Sequence, residues 1–205
     1  MIAATVGGVP VTVEDVDARE NELRSTRLAA ALPRPGTSEG RQLRRWLTQL
    51  LVAERVVASE ARARGVRADG ASAEDHLLPD IAARLDIGSI AASVLADPMA
   101  RALFAHLTAG VDVTEEQVAA FHARNPHRFA PTPVKPVVRH GWRSRAPDPP
   151  ALDEVRPAIA AHLRAAAQRR AFRLWLDARC AELVELAPGY EHPGDPRQPD
   201  NTHRH

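Results

Sequence analysis

Three histidines, His192, His203 and His205, sit in the last stretch of the chain beside Tyr190, Glu191, Asp195 and Asp200. A His-x-His pair can bring two imidazoles to one ion when the backbone is extended, with His192 or a carboxylate as a third ligand. The cofactor such a set would take is a divalent transition metal. The competing reading is a polar tail or a short partner-binding peptide. Five further histidines, His106, His122, His127, His140 and His162, are scattered over predicted helices and a loop, and read as structural. His122 and His127 flank a predicted helix end, where a protonated imidazole favours the dipole. Cys180 is the only cysteine, so no intrachain disulfide forms. It lies near the apolar face of a predicted helix with no base identified beside it, and reads as a buried, inert thiol. The chain contains no G-x-S-x-G, P-loop, dinucleotide fingerprint, H-E-x-x-H or C-x-x-C. No catalytic residue is expected, and the chain reads as a binding protein rather than an enzyme.

Aromatic side chains are the remaining residues able to contact a ligand. Trp46, Phe104, Phe121, Phe129, Trp142 and Trp175 account for most of them. They are the candidate peptide contacts, since helical domains can leave an apolar groove for an extended or helical segment. Core packing competes for five of the six, because they fall on or beside helical stripes. Trp142 sits in a proline-rich crossing and is the best candidate for an exposed contact.

The elements that must position these residues are mostly helical. Ala, Leu, Arg and Glu dominate and favour helix; β-branched residues are too few for a large sheet. Gly7-Gly8 between short apolar runs predicts a hairpin. Thr12 then caps a helix, with Asp15 in place of the usual Glu, carrying Val13, Val16, Glu20 and Leu23 at helical spacing. This helix is expected to end before Pro33. A second helix is predicted over 39–64, capped by Thr37 or Ser38 and stopped by Gly65. Leu43, Trp46, Leu47, Leu50, Ala53, Val57 and Ala61 form its wide apolar face. Arg41, Arg44, Arg45, Glu54, Arg55, Glu60 and Arg62 are assigned to the opposite side. Residues 72–109 read as helical but broken at Pro79 and Gly88, with Asp97-Pro98 starting a last helix. Thr114 and Gln117 form a capping box for a helix that stops at Asn125-Pro126. Prolines then forbid a central strand, but Val137 and Val138 suit a short edge strand.

The longest predicted helix starts near Asp153 and runs to Leu186, with Pro157 near enough to that start to be tolerated if it falls in the first turn. Leu152, Val155, Ile159 and Leu163 make one stripe. Phe172, Trp175, Leu176, Leu183 and Leu186 make a second, displaced around the helix. The shift predicts two different packing partners. The fold class expected is mainly α: a short N-terminal hairpin or strand, a helical domain over 1–187 completed by the long C-terminal helix, and an irregular His- and Pro-rich tail over 188–205.

The formal net charge of +1 over 205 residues, with Arg interleaved among acids, gives no basis for nucleic-acid binding. Lys135 is the only lysine. No segment approaches the roughly 20 apolar residues a membrane span needs, and the opening residues do not read as a signal peptide. The expected setting is the cytoplasm.

Four segments, in order, resemble the SurA-like (PpiC-type) peptidyl-prolyl isomerase and chaperone family. ATVGGVPVTVEDVDAREN is similar to the family's opening strand, glycine turn and first helix. RRWLTQLLVAERVVASEARARGV resembles its second helix. VTEEQVAAFHARNPHRFAPTPV resembles the lead into the parvulin domain. PPALDEVRPAIAAHLRAAAQRRAFRLWLDARCAELVEL resembles the closing helix. The chain departs from the pattern at residues 130–151, a Pro-rich crossing too short to hold a parvulin fold, so no isomerase residue carries over. The resemblance implies a chaperone-type helical module without isomerase activity. Its partner would be a polypeptide client or a dedicated partner enzyme, as a maturation or assembly factor. The alternative is a metal-binding protein or metalloenzyme accessory that uses the tail.

Overall fold

The chain opens as a two-stranded hairpin because Gly7 and Gly8 take φ of +56° and +81°, the left-handed pair that a two-residue hairpin turn requires. β1 (Ile2–Val6) and β2 (Val9–Thr12) pair antiparallel, with Val6 opposite Val9. A computed structural model describes residues 1–130 and 148–191, which fall into two compact units: Met1–Ala109 with Arg170–His205, and Gly110–Arg169.

In the first unit the hairpin leads into α1 (Val13–Arg24) through the expected capping box. The Asp15 backbone N–H donates to the Thr12 hydroxyl at 3.2 Å, and the Thr12 N–H donates to the Asp15 carboxylate at 2.8 Å. The helix stops at Arg24, well short of Pro33, because the Ser25 and Thr26 hydroxyls donate back to the Glu22 and Leu23 carbonyls. Such side-chain bonds compete with helix propagation.

α2 (Ser38–Ala63) starts at Thr37, whose hydroxyl accepts from the Gly40 N–H at 3.1 Å. A Cβ at position 40 would overlap the Arg34 carbonyl, so the helix entry requires glycine there. At its far end, Gly65 has φ +63°. The Val66 N–H reaches the Ala61 carbonyl and the Gly65 N–H reaches Arg62, the paired closure of a Schellman motif. The short helices α3 (Glu74–Leu77), α4 (Ile81–Ile87) and α5 (Ser89–Val94) precede α6 (Pro98–Thr108). Gly88, at φ +90°, separates α4 from α5. Asp97 caps α6, with Pro98 at its first position.

The main core joins Leu50, Val52, Ala53, Val56, Val57 and Ala61 of α2 to Val94, Leu103 and Phe104, and to Phe172 and Leu176 late in the chain. The Phe104 and Phe172 rings lie 5.3 Å apart. α1 is clamped to α2 by ion pairs. Arg19 makes a bidentate pair with Glu54, Arg55 reaches Asp15, and Arg44 bridges Asp17 and the buried Glu20.

Two assignments on α2 are corrected. Arg45 and Glu60, expected on the solvent side, are only 5% and 9% exposed. The late chain covers that side. Arg45 Nε donates to the Gly189 carbonyl at 3.1 Å, while Glu60 accepts from Arg64 and Arg179.

The last helix, α8 (Leu152–Leu183), ends earlier than the apolar stripe predicts. Val184–Leu186 instead forms β3, which pairs antiparallel with the free edge of β1 and makes the sheet order β2-β1-β3. The Gly7 N–H donates to the Leu183 carbonyl at 2.8 Å. Pro157 is the sixth residue of α8 and so lies in its second turn rather than its first. Pro157 and Asp153, the residue whose carbonyl loses its helical donor, are both exposed.

The second unit contains α7 (Glu115–Arg124) and the first part of α8. The Gln117 N–H donates to the Thr114 hydroxyl, and the Thr114 N–H to the Gln117 side chain. Val118, Val155 and Ile159 are buried together, flanked by Phe121, Phe129, Leu152 and Leu163. The two stripes on α8 therefore do enter separate cores, the earlier one here and the later one in the first unit. The predicted strand at Val137–Val138 lies outside the described residues. No described helix is long and apolar enough to cross a membrane.

Two predictions test this packing. Phe172→Ala should cost about 3–5 kcal/mol and Ile159→Ala about 2–5 kcal/mol in urea unfolding. Hydrogen exchange should show the first loss in α2 and α6 and the second in α7; the same footprint for both would contradict separate cores. Glu60 supplies the second test. Burial opposes its ionisation, but hydrogen bonds from Arg179 and Arg64 outweigh it and hold the carboxyl below its ordinary value of 4.5. A depressed carboxylate stabilises the fold fully above its unfolded pKa and loses that contribution as pH falls through the folded value. Thermal unfolding midpoints of wild type and Glu60→Gln should thus differ at pH 7 and converge below the carboxylate range.

Candidate functional site

α7 and the first part of α8 leave an open groove of about 410 Å³. Its walls are Val113, Ala120, Phe121, Leu163 and Ala167, with Glu116, Gln117 and Arg124 along the rim. The spacing explains the geometry. Gln117, Ala120, Phe121 and Arg124 recur at three and four on α7, and Leu163 and Ala167 are four apart on α8, so each set shares one helix face. Val118, off that set, is buried and packs on Val155 and Ile159. Two alanines in the walls hold the groove open, because larger side chains there would fill it.

An aromatic layer fixes the Phe121 wall from within the same unit. Phe121 and Phe129 lie 6.1 Å apart, and the His162 ring is 5.5 Å from the first and 5.6 Å from the second. The Arg128 guanidinium stands 5.8 Å from the Phe121 ring centroid, within cation–π range. His122 donates from Nε2 to the Pro150 carbonyl at 3.0 Å, tying α7 to the segment that enters α8. At the groove's N-terminal end, Asp112 and Arg164 pair at 2.7 Å. A hydrogen bond from the Thr114 side chain and one from its own backbone N–H hold the Glu116 carboxyl below its ordinary range.

The first unit has its own cleft, about 330 Å³, between α2, the α4–α5 junction and late α8. It lies between N-terminal helices and the C-terminal helix. Its lining is more mixed, with Gln49, Ser89, Arg173, Asp177 and Cys180 beside Ile87 and Leu176. Arg173 is engaged there with the Asp86 carbonyl at 3.0 Å. Burial, with a smaller contribution from Asp177, pushes the Cys180 thiol up to about 11. That keeps it protonated at neutral pH and unsuited to nucleophilic attack.

Five of the six aromatic candidates are described, and they divide between the units. Phe121 lines the α7–α8 groove and Phe129 backs it. Phe104 is buried at 3% exposure. Trp46 is half-buried, with its indole N–H donating to the Ser89 hydroxyl at 3.3 Å. Trp175 stacks on Phe172, ring centroids 5.5 Å apart, and its Nε1 is buried with no hydrogen-bond acceptor among the described residues. Trp142 lies outside the described residues, as do His140 and the candidate tail ligands His192, His203 and His205. Among the described residues, no group of three or more His, Cys, Asp or Glu side chains is placed to hold a metal ion. Val113, Ala120, Leu163 and Ala167 were not singled out as contacts from the sequence; the three- and four-residue spacing on α7 was the available signal.

The model of a family of unknown function, DUF7158, matches residues 2–39. The match covers the hairpin, α1 and the entry to α2, all in the first unit, and ends before either groove-forming helix. No curated protein and no solved structure matches the chain.

The raised thiol gives a direct test. With a pKa of about 11, Cys180 should react with iodoacetamide at pH 7.5 at least about tenfold more slowly than a free cysteine of ordinary pKa. Denaturant should restore the normal rate. Fast labelling of the native protein would contradict the raised pKa of this half-buried thiol.

Proposed function

We propose that the chain is a non-catalytic, polypeptide-binding factor of the chaperone-like type, serving a particular partner's maturation or assembly in the cytoplasm. The observation that carries this reading is the α7–α8 groove, whose walls are apolar and whose Phe121 wall is braced by the Phe121–Phe129–His162 layer. Braced walls reduce the ordering cost of binding. The order of segments similar to the SurA-like module supports the same reading. So does the shortness of residues 130–151, which leaves no room for a parvulin domain. The client is an apolar segment of a polypeptide, because the walls offer dispersion contacts while the charges lie at the rim.

Ala120 is exposed and lines the groove, so Ala120→Trp should fill it without disturbing the core. Wild-type protein should suppress light scattering by a heat-aggregating test enzyme at near-stoichiometric ratio. Ala120→Trp should lose most of that protection with unchanged circular dichroism and unfolding midpoint. Equal protection by both proteins, or none by the wild type, would refute the assignment.

A further inference from the structure

The groove is not electrically uniform. Glu116 stands in the first turn of α7 and Arg124 in its last turn, and both line the groove. Eight residues of helix separate them by about 12 Å. Neither has an oppositely charged partner among the described residues. Their neighbours are already committed: Asp112 to Arg164, and Glu115 and Asp153 to Arg156. Arg124 Nε donates to the Ala120 carbonyl at 3.0 Å, which lays the side chain along the helix. Arg128, over the Phe121 ring, adds a second cation toward the same end. An apolar trough thus runs from a negative end to a positive end.

The walls also limit the backbone of an occupant. Apart from Val113, every lining residue belongs to a helix. Helix interiors have already paired their N–H and C=O groups, and among the described residues no strand edge borders the trough. An extended peptide would find no backbone partners there, whereas a helix satisfies its own. A helix also presents apolar residues at i, i+3, i+4 and i+7, the pattern that fits a groove between two helices.

Building on the peptide-binding reading above, we infer that the occupant is an amphipathic helix of a partner polypeptide lying antiparallel to α7. Its first turn is acidic and meets Arg124 and Arg128; its last turn is basic and meets Glu116. This charge order also suits the occupant's own dipole, with acids at its N-terminus and bases at its C-terminus. The parallel orientation of the same helix would set its acidic turn against Glu116. Rim charges of this kind set orientation and partner choice more than affinity.

The test uses the full chain and a synthetic 16-residue Leu/Ala helix, stapled on its polar face, with Glu in its first turn, Lys in its last and a benzophenone at its N-terminus. Binding is read by fluorescence anisotropy and orientation by photocrosslinking. The peptide should bind wild type and crosslink near the α7 C-terminus. Arg124→Glu should weaken it at least about fivefold, and a peptide with Lys in place of the first-turn Glu should recover the loss on that variant. A change in fold alone would not be rescued in this way.

Crosslinking at the Glu116 end, or affinity indifferent to Arg124→Glu, would overturn the inference. If Ala120→Trp still abolished binding in that case, the groove reading would survive without its polarity. Absence of peptide binding, with client protection intact, would overturn the helical occupant alone; absence of both would remove the two proposals together. Concentration-dependent dimerisation lost in Arg124→Glu would assign the groove to a second copy of the chain, and so overturn a foreign partner.

Discussion

The first unit depends on the return of residues 170–186 to an N-terminal hairpin that cannot stand alone. A two-stranded hairpin is marginal in water, and a third strand or a packed helix is what makes such an element persist. The chain supplies both from one continuous segment. Phe172 and Leu176 enter the core beside Phe104 and α2, and a few residues later Val184–Leu186 joins the edge of β1. β1 becomes the central strand, with Ala3, Ala4 and Val6 buried. The pairing of Gly7 N–H with the Leu183 carbonyl fixes where α8 stops and β3 begins, so strand register and helix length are set by the same contact.

The same return explains the polar groups in this unit. α2 carries one broad apolar face and would ordinarily turn its charged side to water. Residues 179–190 come back over that side, so Arg45 and Glu60 must find partners inside the protein. A buried charge with one partner removed is costly, whereas a paired and hydrogen-bonded one is tolerated. Glu60 illustrates this balance, with two guanidinium groups opposing its desolvation. Glu20 shows the other route. It occupies an apolar-spaced position on α1 yet is buried, because Arg24 and Arg44 both reach it.

What was legible in the sequence follows from this division between local and distant causes. Both capping boxes, the glycine turn, the Asp97-Pro98 start and the Gly65 stop are local, and each stands where its residues put it. The displaced stripe on α8 was legible too, since a helix can face two cores only by rotating its apolar residues. β3 was not, because Leu183 and Leu186 continue a helical spacing and only pairing with β1, far away in sequence, makes Val184–Leu186 extended. Nor was the burial of Arg45 and Glu60, whose cover arrives from the other end of the chain. For the groove, the aromatic residues drew attention while the alanines were overlooked. Aromatic rings mostly build the walls from behind, and it is Ala120 and Ala167 that leave the space.

α7 packs through one face and leaves another open. Its buried contact is narrow: Val118 packs on Val155 and Ile159. The Ala120 side is left out of the core, and Phe121 lies between the two, packed on Phe129 and His162 while still lining the groove. A helix of ten residues is marginal by itself, so α7 must draw its stability from caps and from this narrow contact. The full capping box at Thr114 and Gln117 and the Asn125 cap supply the ends. With the ends fixed locally, the exposed face need not contribute to packing, and residues there are free of core constraints. The rim charges Glu116 and Arg124, which have no ion-pair partner among the described residues, lie on that face, and each also suits the α7 dipole at its own end. Their charge order therefore costs the fold nothing and remains available to an occupant.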